Sequence, residues 1–311
     1  MTEKLRFSLL GHPVRHSVSP AMQTAAFRAI GLPHSYTAID VPTSTGLRRM
    51  VGEIRRGAIA GANVTLPYKR TVLEMVDDVA PSAAEVGGAN VLSRSPEGRV
   101  VAHNTDAEAL ATELTELGMA ERAGCAVVLG AGGAGLAAVA ACKRLGFKII
   151  GVTTRSWLGT ESVYESQAAE QVRALGALTS PWPVGDNATP SGKASGVLRM
   201  QWGEFAAMAD LIVQATSAGM AGADPGEDLI AVVPWKRLAA RPLIYDMVYN
   251  PPVTPFLQEA LNHGLRAEGG LGMLIRQAAL SFTLWTGFPA SLNVLRTAAD
   301  EALALHNRPA V

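Results

Sequence analysis

The sequence predicts an α/β protein of two domains, and three observations support this fold class. Short apolar runs alternate with longer segments of helical periodicity almost throughout the 311 residues, which is the pattern of βαβ units and a mainly parallel sheet. The composition changes near residue 107, and after a helical pattern a second series of such units begins with an apolar run and a glycine-rich turn. A chain of this length is long for one domain and suits two.

The first series contains strand candidates separated by helical segments. The strand candidates are R-F-S-L-L, S-Y-T-A-I-D-V, I-A-G-A-N-V, and the pair G-A-N-V-L-S and G-R-V-V-A-H. Helical periodicity is found in P-A-M-Q-T-A-A-F-R-A-I and S-T-G-L-R-R-M-V-G-E-I. Gly31 and Pro33 predict the end of the first helix, because these residue types are favoured just past a helix C-terminus.

The second series starts after a helical pattern at residues 107–117. Its strand candidates are A-V-V-L, F-K-I-I-G-V-T, D-L-I-V-Q-A-T and P-L-I-Y-D-M-V-Y. Residues 180–200 are rich in Gly, Pro and Ser and are predicted to form a surface loop. Two closing helices are predicted at residues 271–287 and 290–306.

The composition indicates a folded protein in which basic residues are not in excess over acidic ones. Hydrophobic residues make up 48% of the chain, and Lys plus Arg equal Asp plus Glu at 27 each. This balance gives no reason to expect nucleic acid or an anionic membrane as partner. No apolar run approaches the roughly 20 residues of a membrane span, and the N-terminus lacks a signal-peptide pattern. We expect a cytoplasmic protein whose two cysteines, Cys125 and Cys142, are reduced and buried.

The glycine-rich turn predicts a dinucleotide site. The apolar run Val127–Leu129 is followed by G-A-G-G-A-G, which places Gly130, Gly132 and Gly135 at dinucleotide-binding spacing. These glycines permit a tight turn and let backbone N–H groups approach a pyrophosphate at a helix N-terminus. The motif alone is a weak signal, but here a strand precedes it and a helix follows it. The second domain is therefore predicted to be of the Rossmann type; a tight βα turn without a ligand is the alternative.

The end of the next strand bears on which cofactor is bound. An NAD site usually places an acidic residue there to hold the ribose 2′-hydroxyl, whereas this chain reads G-V-T-T-R-S-W. Arg155 offers a planar cation to a 2′-phosphate, and Thr154 and Ser156 offer hydroxyl donors. NADP is favoured over NAD; the alternative is that Arg155 is a solvated surface charge.

Polar side chains cluster at the ends of the strands predicted in the first domain. The clusters are Ser17 with Ser19, Thr65 with Lys69, Asn90, and Asn104 with Thr105 and Asp106. Ligands bind at the carboxyl edge of parallel sheets, so the clusters together predict a site for a small polyhydroxylated substrate. Taken singly, each has a structural alternative: Ser19 or Asn104–Asp106 as helix caps, and Lys69 as a solvated side chain.

Lys69 and Asp106 form a candidate acid–base pair. Oxidising an alcohol with NADP requires removal of the hydroxyl proton as hydride leaves the carbon. A lysine near the hydroxyl, held by a carboxylate, can pass that proton, and such catalysis typically contributes about 10²–10⁴-fold.

Several motifs in order give the chain a family resemblance. They are G-H-P-V-R-H-S-V-S-P, N-V-T-L-P-Y-K, H-N-T-D, G-A-G-G-A, Q-A-T-S-A-G-M, Y-D-M-V-Y-N-P-P-V-T-P-F-L and G-G-L-G-M-L-I-R-Q-A-A. With them the chain resembles the shikimate dehydrogenase family, including its quinate/shikimate branch, over nearly its whole length. The resemblance implies reversible NADP-linked oxidation of shikimate, a small hydroxylated cyclic carboxylic acid, to 3-dehydroshikimate in aromatic amino-acid (chorismate) biosynthesis, by a monomer or homodimer without a metal.

The resemblance also implies roles for individual residues. Lys69 and Asp106 would be the catalytic pair. The substrate would be held by Ser17, Ser19, Thr65, Asn90, Tyr249 and Gln277. The cofactor pyrophosphate would lie on Gly130, Ala131, Gly132, Gly133 and Ala134, the adenosine phosphate on Thr154, Arg155 and Ser156, and the nicotinamide end against Thr216, Met247 and Gly270. Structural alternatives remain for three of them: Tyr249 as a turn aromatic, Met247 as core packing and Gln277 as a solvent-facing helix residue.

The domain division follows from the same resemblance. The closing helices are expected to return to the first domain, so the substrate-binding domain would comprise residues 1–106 and 271–311. Residues 107–270 would form the NADP-binding domain, and a cleft would lie between the two.

Some positions depart from the family pattern and leave two alternatives open. Val91, His103 and Ala109 replace the usual threonine and glycines, and T-R-S replaces N-R-T in the cofactor motif. Met22-Gln23 is closer to the quinate/shikimate branch. One alternative is a paralogue that acts on quinate or a related hydroaromatic acid with NAD or NADP. The other is a metabolite-binding regulator with little turnover.

Overall fold

The computed structural model describes residues 3–158, 163, 166–183, 202–238 and 241–306. The chain divides into two compact units, the first Met1–Ala109 with Met273–Val311 and the second Leu110–Gly272. Within the described residues each unit contains one six-stranded sheet. Most of the loop predicted at residues 180–200 lies outside the described residues, because residues 184–201 are not among them.

The sheet of the first unit is mixed. Its strands are β1 (Arg6–Gly11), β2 (Ser35–Asp40), β3 (Gly61–Val64), β4 (Asp78–Val79), β5 (Val91–Arg94) and β6 (Val100–His103). They lie in the order β2-β1-β3-β5-β6-β4. β1 runs parallel to β2 and β3, and β4 runs parallel to β6. β5 is antiparallel to both of its neighbours, so β5 and β6 form a hairpin within a sheet whose other pairings are parallel.

The first unit contains the helices α1 (Ser19–Ala29), α2 (Ser44–Arg55), α3 (Pro81–Val86) and α11 (Leu292–His306), and nearly all of α10 (Leu271–Thr286). Helix α4 (Asp106–Glu116) begins in the first unit and continues into the second. The short helix α3 was not predicted from the sequence. Gly31 has a positive φ of 73° just past α1, as expected for a residue that ends a helix.

An aromatic cluster packs α10 onto the sheet of the first unit. The Phe27 ring on α1 lies 5.2 Å from the Phe7 ring on β1 and 5.1 Å from the Phe282 ring on α10, centroid to centroid. All three side chains are fully buried. Trp285, one helical turn further along α10, lies 4.9 Å from the Phe7 ring and donates its indole N–H to the Leu92 carbonyl on β5. The closing helix α10 is therefore part of the first unit's core.

The second unit has a fully parallel sheet. Its strands are β7 (Cys125–Leu129), β8 (Ile149–Thr153), β9 (Leu178–Thr179), β10 (Leu211–Gln214), β11 (Leu243–Asp246) and β12 (Arg266–Gly269). The order is β12-β11-β10-β7-β8-β9, and every pair is parallel. This is the order of a doubly wound dinucleotide-binding sheet, whose direction of winding changes between β7 and β10. The edge strands β9 and β12 were not predicted.

The second unit surrounds its sheet with α5 (Gly133–Arg144), α6 (Gln167–Ala174), α7 (Trp202–Ala207), α8 (Glu227–Ala231) and α9 (Pro255–Asn262). Cys125 on β7 and Cys142 on α5 are both buried and free. Burial raises the pKa of the Cys125 thiol to about 11 and that of Cys142 to about 12. Both thiols are therefore protonated at neutral pH. In the part of the chain that the structure describes, no helix is long and apolar enough to cross a membrane.

Replacing Phe282 with alanine is expected to destabilise the first unit by about 3–5 kcal/mol, because a buried ring is lost and leaves a cavity between α10 and α1. Urea unfolding measures the change. Phe288→Ala is the matched control, because Phe288 is 56% exposed and its loss is expected to leave stability within about 0.5 kcal/mol. Equal effects of the two substitutions would contradict the packing of α10 in this core.

Candidate active site

One edge of the first unit's sheet collects the polar clusters. β1, β3 and β6 run in the same direction and end at this edge, and the antiparallel strand β5 begins there. Ser17 and Ser19 follow β1, and Thr65 and Lys69 follow β3. Asn90 precedes β5, and Asn104 to Asp106 follow β6.

Lys69 and Asp106 form a close ion pair. The Lys69 Nζ donates to Asp106 Oδ2 at 2.7 Å, with the two side chains 19% and 5% exposed. A turn after β3, closed by the Tyr68 N–H on the Thr65 carbonyl, carries the lysine. The Lys69 carbonyl accepts the Ala89 N–H at 2.6 Å, so the backbone on both sides of the side chain is held. An amine next to a carboxylate in a partly buried position can exchange a proton with a bound hydroxyl.

Asn90 completes the environment of the Asp106 carboxylate. Its Nδ2 donates to Asp106 Oδ1 at 2.8 Å and to Thr105 Oγ1 at 2.9 Å. Its Oδ1 accepts the Thr105 N–H at 2.8 Å. Each carboxylate oxygen of Asp106 thus has its own donor, which fixes the orientation of the acid towards Lys69.

Asn104 has the capping role that the sequence offered as an alternative for this cluster. Its Oδ1 accepts the N–H groups of Asp106 at 3.0 Å and Ala107 at 3.2 Å, at the start of α4. Its Nδ2 donates to the Gly88 carbonyl at 2.8 Å. Because Asn104 satisfies the helix N-terminus, the Asp106 side chain is left to face Lys69 and Asn90.

Gln277 reaches the same cluster from α10. It is 8% exposed, so the alternative of a solvent-facing residue is wrong. Its Oε1 lies 3.3 Å from the Asn90 Nδ2. Behind it, Ser281 donates to the Gln277 carbonyl at 2.8 Å and accepts from Asn63 Nδ2 at 2.9 Å. This buried chain of hydrogen bonds ties α10 to β3 and thereby sets the position of Gln277.

The two serines lie at the start of α1. Ser17 Oγ accepts the Ser19 N–H at 3.2 Å. Ser19 is the first residue of the helix and is 7% exposed, while Val18 occupies the capping position. The alternative in which Ser19 caps α1 is therefore wrong. Thr65 is half-buried and joins β1 through its N–H, which donates to the Leu10 carbonyl at 2.9 Å.

His103 takes part in a hydrogen bond across the β5–β6 hairpin. Its Nε2 lies 2.9 Å from Ser93 Oγ, and burial lowers the pKa of the imidazole from its ordinary value. Among the described residues, no group of three or more His, Cys, Asp or Glu side chains is arranged to hold a metal ion.

The glycine-rich turn of the second unit lies between β7 and α5. Gly130 has a positive φ of 116°, and a Cβ at Gly135 would overlap the Gly130 carbonyl oxygen. Both positions therefore require glycine. The Gly130 N–H donates to the Thr153 carbonyl at 2.8 Å, which ties the turn to the end of β8. Gly132 caps α5, and Gly133 and Ala134 form its first turn, with Ala131 buried beneath.

The predicted phosphate-binding residues follow β8 directly. Thr154 precedes a short 3-10 turn, Arg155–Trp157, and Ser156 is exposed. The Arg155 guanidinium donates to Asp224 Oδ2, and both side chains are partly exposed. This guanidinium holds the pKa of the Asp224 carboxyl below its ordinary value.

The residues predicted at the nicotinamide end lie at the carboxyl edge of the same sheet. A Cβ on Gly130 would come within 2.9 Å of Thr216 Cγ2, so the loop after β10 touches the glycine turn. A Cβ on Gly270 would overlap the Met247 carbonyl, and the Gly270 N–H donates to the Val248 carbonyl at 3.0 Å. Tyr249 is half-buried in the loop after β11 and belongs to the second unit.

Sequence reasoning missed the buried acid that joins these loops. Asp246, at the end of β11, is fully buried and accepts three hydrogen bonds, from Gln214 Nε2 at 3.1 Å, the Val248 N–H at 2.9 Å and Thr254 Oγ1 at 2.6 Å. Burial raises the pKa of its carboxyl from 3.8 to about 6. The available signal was its place in Y-D-M-V-Y, directly after an apolar strand, together with the polar Gln214 at the end of the neighbouring strand.

The Asp246→Asn variant is expected to lose a pH dependence of stability that the native protein has. A raised pKa means that the folded state holds this proton more tightly, so the contribution of Asp246 to the free energy of unfolding falls as pH rises from about 4 to about 6 and is level above that. A shift of this size corresponds to about 3 kcal/mol. Urea unfolding of both proteins between pH 4 and pH 8 measures the difference.

Asp228→Asn is the control for this experiment, because Asp228 is an exposed acid of the same unit. Its unfolding free energy is expected to run parallel to that of the native protein across the pH range. A parallel curve for Asp246→Asn as well would show that Asp246 does not titrate between these pH values.

Comparison with known proteins identifies relatives along the whole chain. Residues 9–92 match the shikimate dehydrogenase substrate binding domain, and residues 270–299 match the shikimate 5′-dehydrogenase C-terminal domain. A shikimate dehydrogenase (NADP(+)) of Symbiobacterium thermophilum is 36% identical over 295 residues, covering 95% of this chain and 93% of the relative.

Solved structures give the same result. Shikimate 5-dehydrogenase from Thermus thermophilus, in complex with NADP(H) and shikimate, is 35% identical with a TM-score of 0.76, covering 96% of this chain and 99% of that one. Quinate dehydrogenase from Corynebacterium glutamicum, in complex with NAD, is 25% identical with a TM-score of 0.77, covering 96% and 100%.

Proposed function

Since the chain belongs to the shikimate dehydrogenase family, we propose that it is an NADP-dependent shikimate dehydrogenase. It interconverts shikimate and 3-dehydroshikimate in aromatic amino-acid biosynthesis, as a cytoplasmic enzyme. The observation that carries the proposal is the Lys69–Asp106 pair at 2.7 Å, with Asn90 on the second carboxylate oxygen. A regulator without turnover would have no use for a charged pair held in this way.

The first unit supplies substrate binding and proton transfer. Ser17 and Ser19 suit the substrate carboxylate, and Thr65, Asn90 and Gln277 suit its hydroxyl groups, because their side chains donate and accept hydrogen bonds. The family resemblance also assigns Tyr249 to the substrate, and its phenolic hydroxyl can donate and accept hydrogen bonds. For the oxidation, Lys69 Nζ acts as a neutral amine that accepts the proton of the reacting hydroxyl as the C–H hydride departs; in the reverse reaction the ammonium returns this proton. Asp106 orients the lysine and balances its charge while Nζ holds the proton.

The second unit fits a dinucleotide. Its glycine turn brings backbone within reach of a pyrophosphate at the N-terminus of α5, which has 12 residues. Arg155, with Thr154 and Ser156, lies at the end of β8, where the adenosine ribose and its 2′-phosphate belong. When bound, the nicotinamide takes up or gives back the hydride. Thr216, Met247 and Gly270 shape the carboxyl edge of the sheet at that end.

A second candidate function is oxidation of quinate or a related hydroaromatic acid with NAD or NADP. The likeness to the Corynebacterium quinate dehydrogenase favours quinate as the substrate. The acidic partner of the Arg155 guanidinium favours NAD as the cofactor, because that arginine is less available to a 2′-phosphate. Initial rates with shikimate and with quinate, each with NADP and NAD, separate the candidates. Higher kcat/KM for shikimate with NADP supports the first, and higher kcat/KM for quinate supports the second.

Lys69→Ala is expected to lower kcat by about 10²–10⁴-fold, the usual contribution of a general acid–base group. KM for the substrate is expected to change much less, because the other polar side chains of the edge still bind it. Asp106→Asn is expected to lower kcat as well, since the lysine loses its charged partner at 2.7 Å. Initial-rate kinetics in both directions measure these effects.

Lys143→Ala is the control, because Lys143 is an exposed lysine in the last turn of α5. It is expected to keep the native kcat. If Lys69→Ala retained native turnover while its fold was intact by circular dichroism, the assignment of the proton transfer would be overturned.

A further inference from the structure

The guanidinium at the end of β8 is held by an acid from another part of the second unit. Arg155 donates to Oδ2 of Asp224, which lies 69 residues further along the chain in the loop after β10. The acid is itself well placed: its Oδ1 accepts the Gly226 N–H at 2.8 Å, and its carbonyl accepts the Gly219 N–H at 2.7 Å. The loop backbone therefore holds Asp224 in place beside Arg155.

The position of the pair puts it at the adenosine end of the dinucleotide site. β8 is the neighbour of β7, and the Gly130 N–H bonds to the last residue of β8. In this type of sheet the ribose 2′ position lies beside the end of that strand. β10 flanks β7 on the other side, so the Asp224 loop must extend past the glycine turn to reach Arg155.

From this geometry we propose that Asp224 reduces the preference of the protein for NADP over NAD, by competing with the adenosine 2′-phosphate of NADP for Arg155; the proposal rests on the proposed function, in which NADP is the cofactor. A 2′-phosphate that binds Arg155 must displace the carboxylate or tolerate it as a neighbouring like charge. NAD has a 2′-hydroxyl in place of the phosphate and leaves the ion pair intact. Asp224 thus narrows the preference for NADP over NAD.

Exposure distinguishes competition from support. The Arg155 and Asp224 side chains are 38% and 48% exposed. Because both side chains are partly exposed, a phosphate can approach Arg155 and water can take the place of the guanidinium at Asp224. The chain also lacks an acid directly after β8, in G-V-T-T-R-S-W. Asp224 supplies a carboxylate to this region from the neighbouring loop, next to the arginine.

Asp224→Asn tests the proposal with little change in shape, because the asparagine keeps the Oδ1 acceptor for the Gly226 N–H. The dissociation constants of NADP⁺ and NAD⁺ are measured by calorimetry, together with those of 2′,5′-ADP and 5′-AMP, which differ only in the 2′-phosphate. NADP⁺ and 2′,5′-ADP are expected to bind roughly two- to fivefold more tightly to the variant, the range of exposed charge pairs. NAD⁺ and 5′-AMP are expected not to gain affinity.

Two further variants make the result specific. Asp228→Asn removes the same charge from an exposed site four residues away and is expected to leave the NADP⁺ to NAD⁺ affinity ratio unchanged. In an Arg155→Ala background, the gain in NADP⁺ affinity from Asp224→Asn is expected to be smaller than in the native background, because only the like-charge repulsion is then relieved. Weaker NADP⁺ binding to Asp224→Asn, or an equal gain from Asp228→Asn, would overturn the proposal. Failure of the native protein to bind either dinucleotide would instead overturn the proposed function.

Discussion

The burial of the Asp106 carboxylate is the constraint on which the first unit's site depends. A charged acid that is 5% exposed has lost most of its water, so both oxygens need donors within the protein. Lys69 serves one oxygen and Asn90 the other. These donors come from the turn after β3 and from the start of β5, while Asp106 itself opens α4. Three elements must therefore meet at one point, and N-V-T-L-P-Y-K leaves its strand in a tight turn so that the lysine reaches that point.

Sequence reasoning located the residues of this edge but gave an incomplete reason for their meeting. It grouped Asn90 with residues at strand ends, on the rule for parallel sheets. In the structure Asn90 precedes β5, which runs antiparallel to β3 and β6. The start of an antiparallel strand lies at the edge where its neighbours end. Apolar periodicity identifies a strand without giving its direction, which depends on the connection. Here the turn in which the Ser95 N–H donates to the Arg99 carbonyl makes the hairpin.

The sequence did not predict two kinds of feature: strands with a weak local pattern, and contacts between distant residues. The edge strands β9 and β12 consist of L-T and R-A-E-G, which have too few apolar residues to give a strand pattern. Gln214 and Thr254 contact Asp246 from 32 and 8 residues away, and Arg155 meets Asp224 across 69. Local patterns located the glycine turn and the ends of the long helices to within about two residues. They carry no information on which acid a given polar side chain will meet.

The three aspartates differ in environment, and the environment decides what each can do. Asp246 is fully buried among neutral donors, so its charged form is disfavoured and its hydrogen bonds serve to join two loops. Asp106 has a cation at 2.7 Å and belongs to a pair that can pass a proton. Asp224 is 48% exposed, so water can replace Arg155 as its partner without leaving a buried charge. A ligand anion can therefore compete for Arg155, whereas removing Lys69 from Asp106 would leave a buried carboxylate without its cation, which is far more costly.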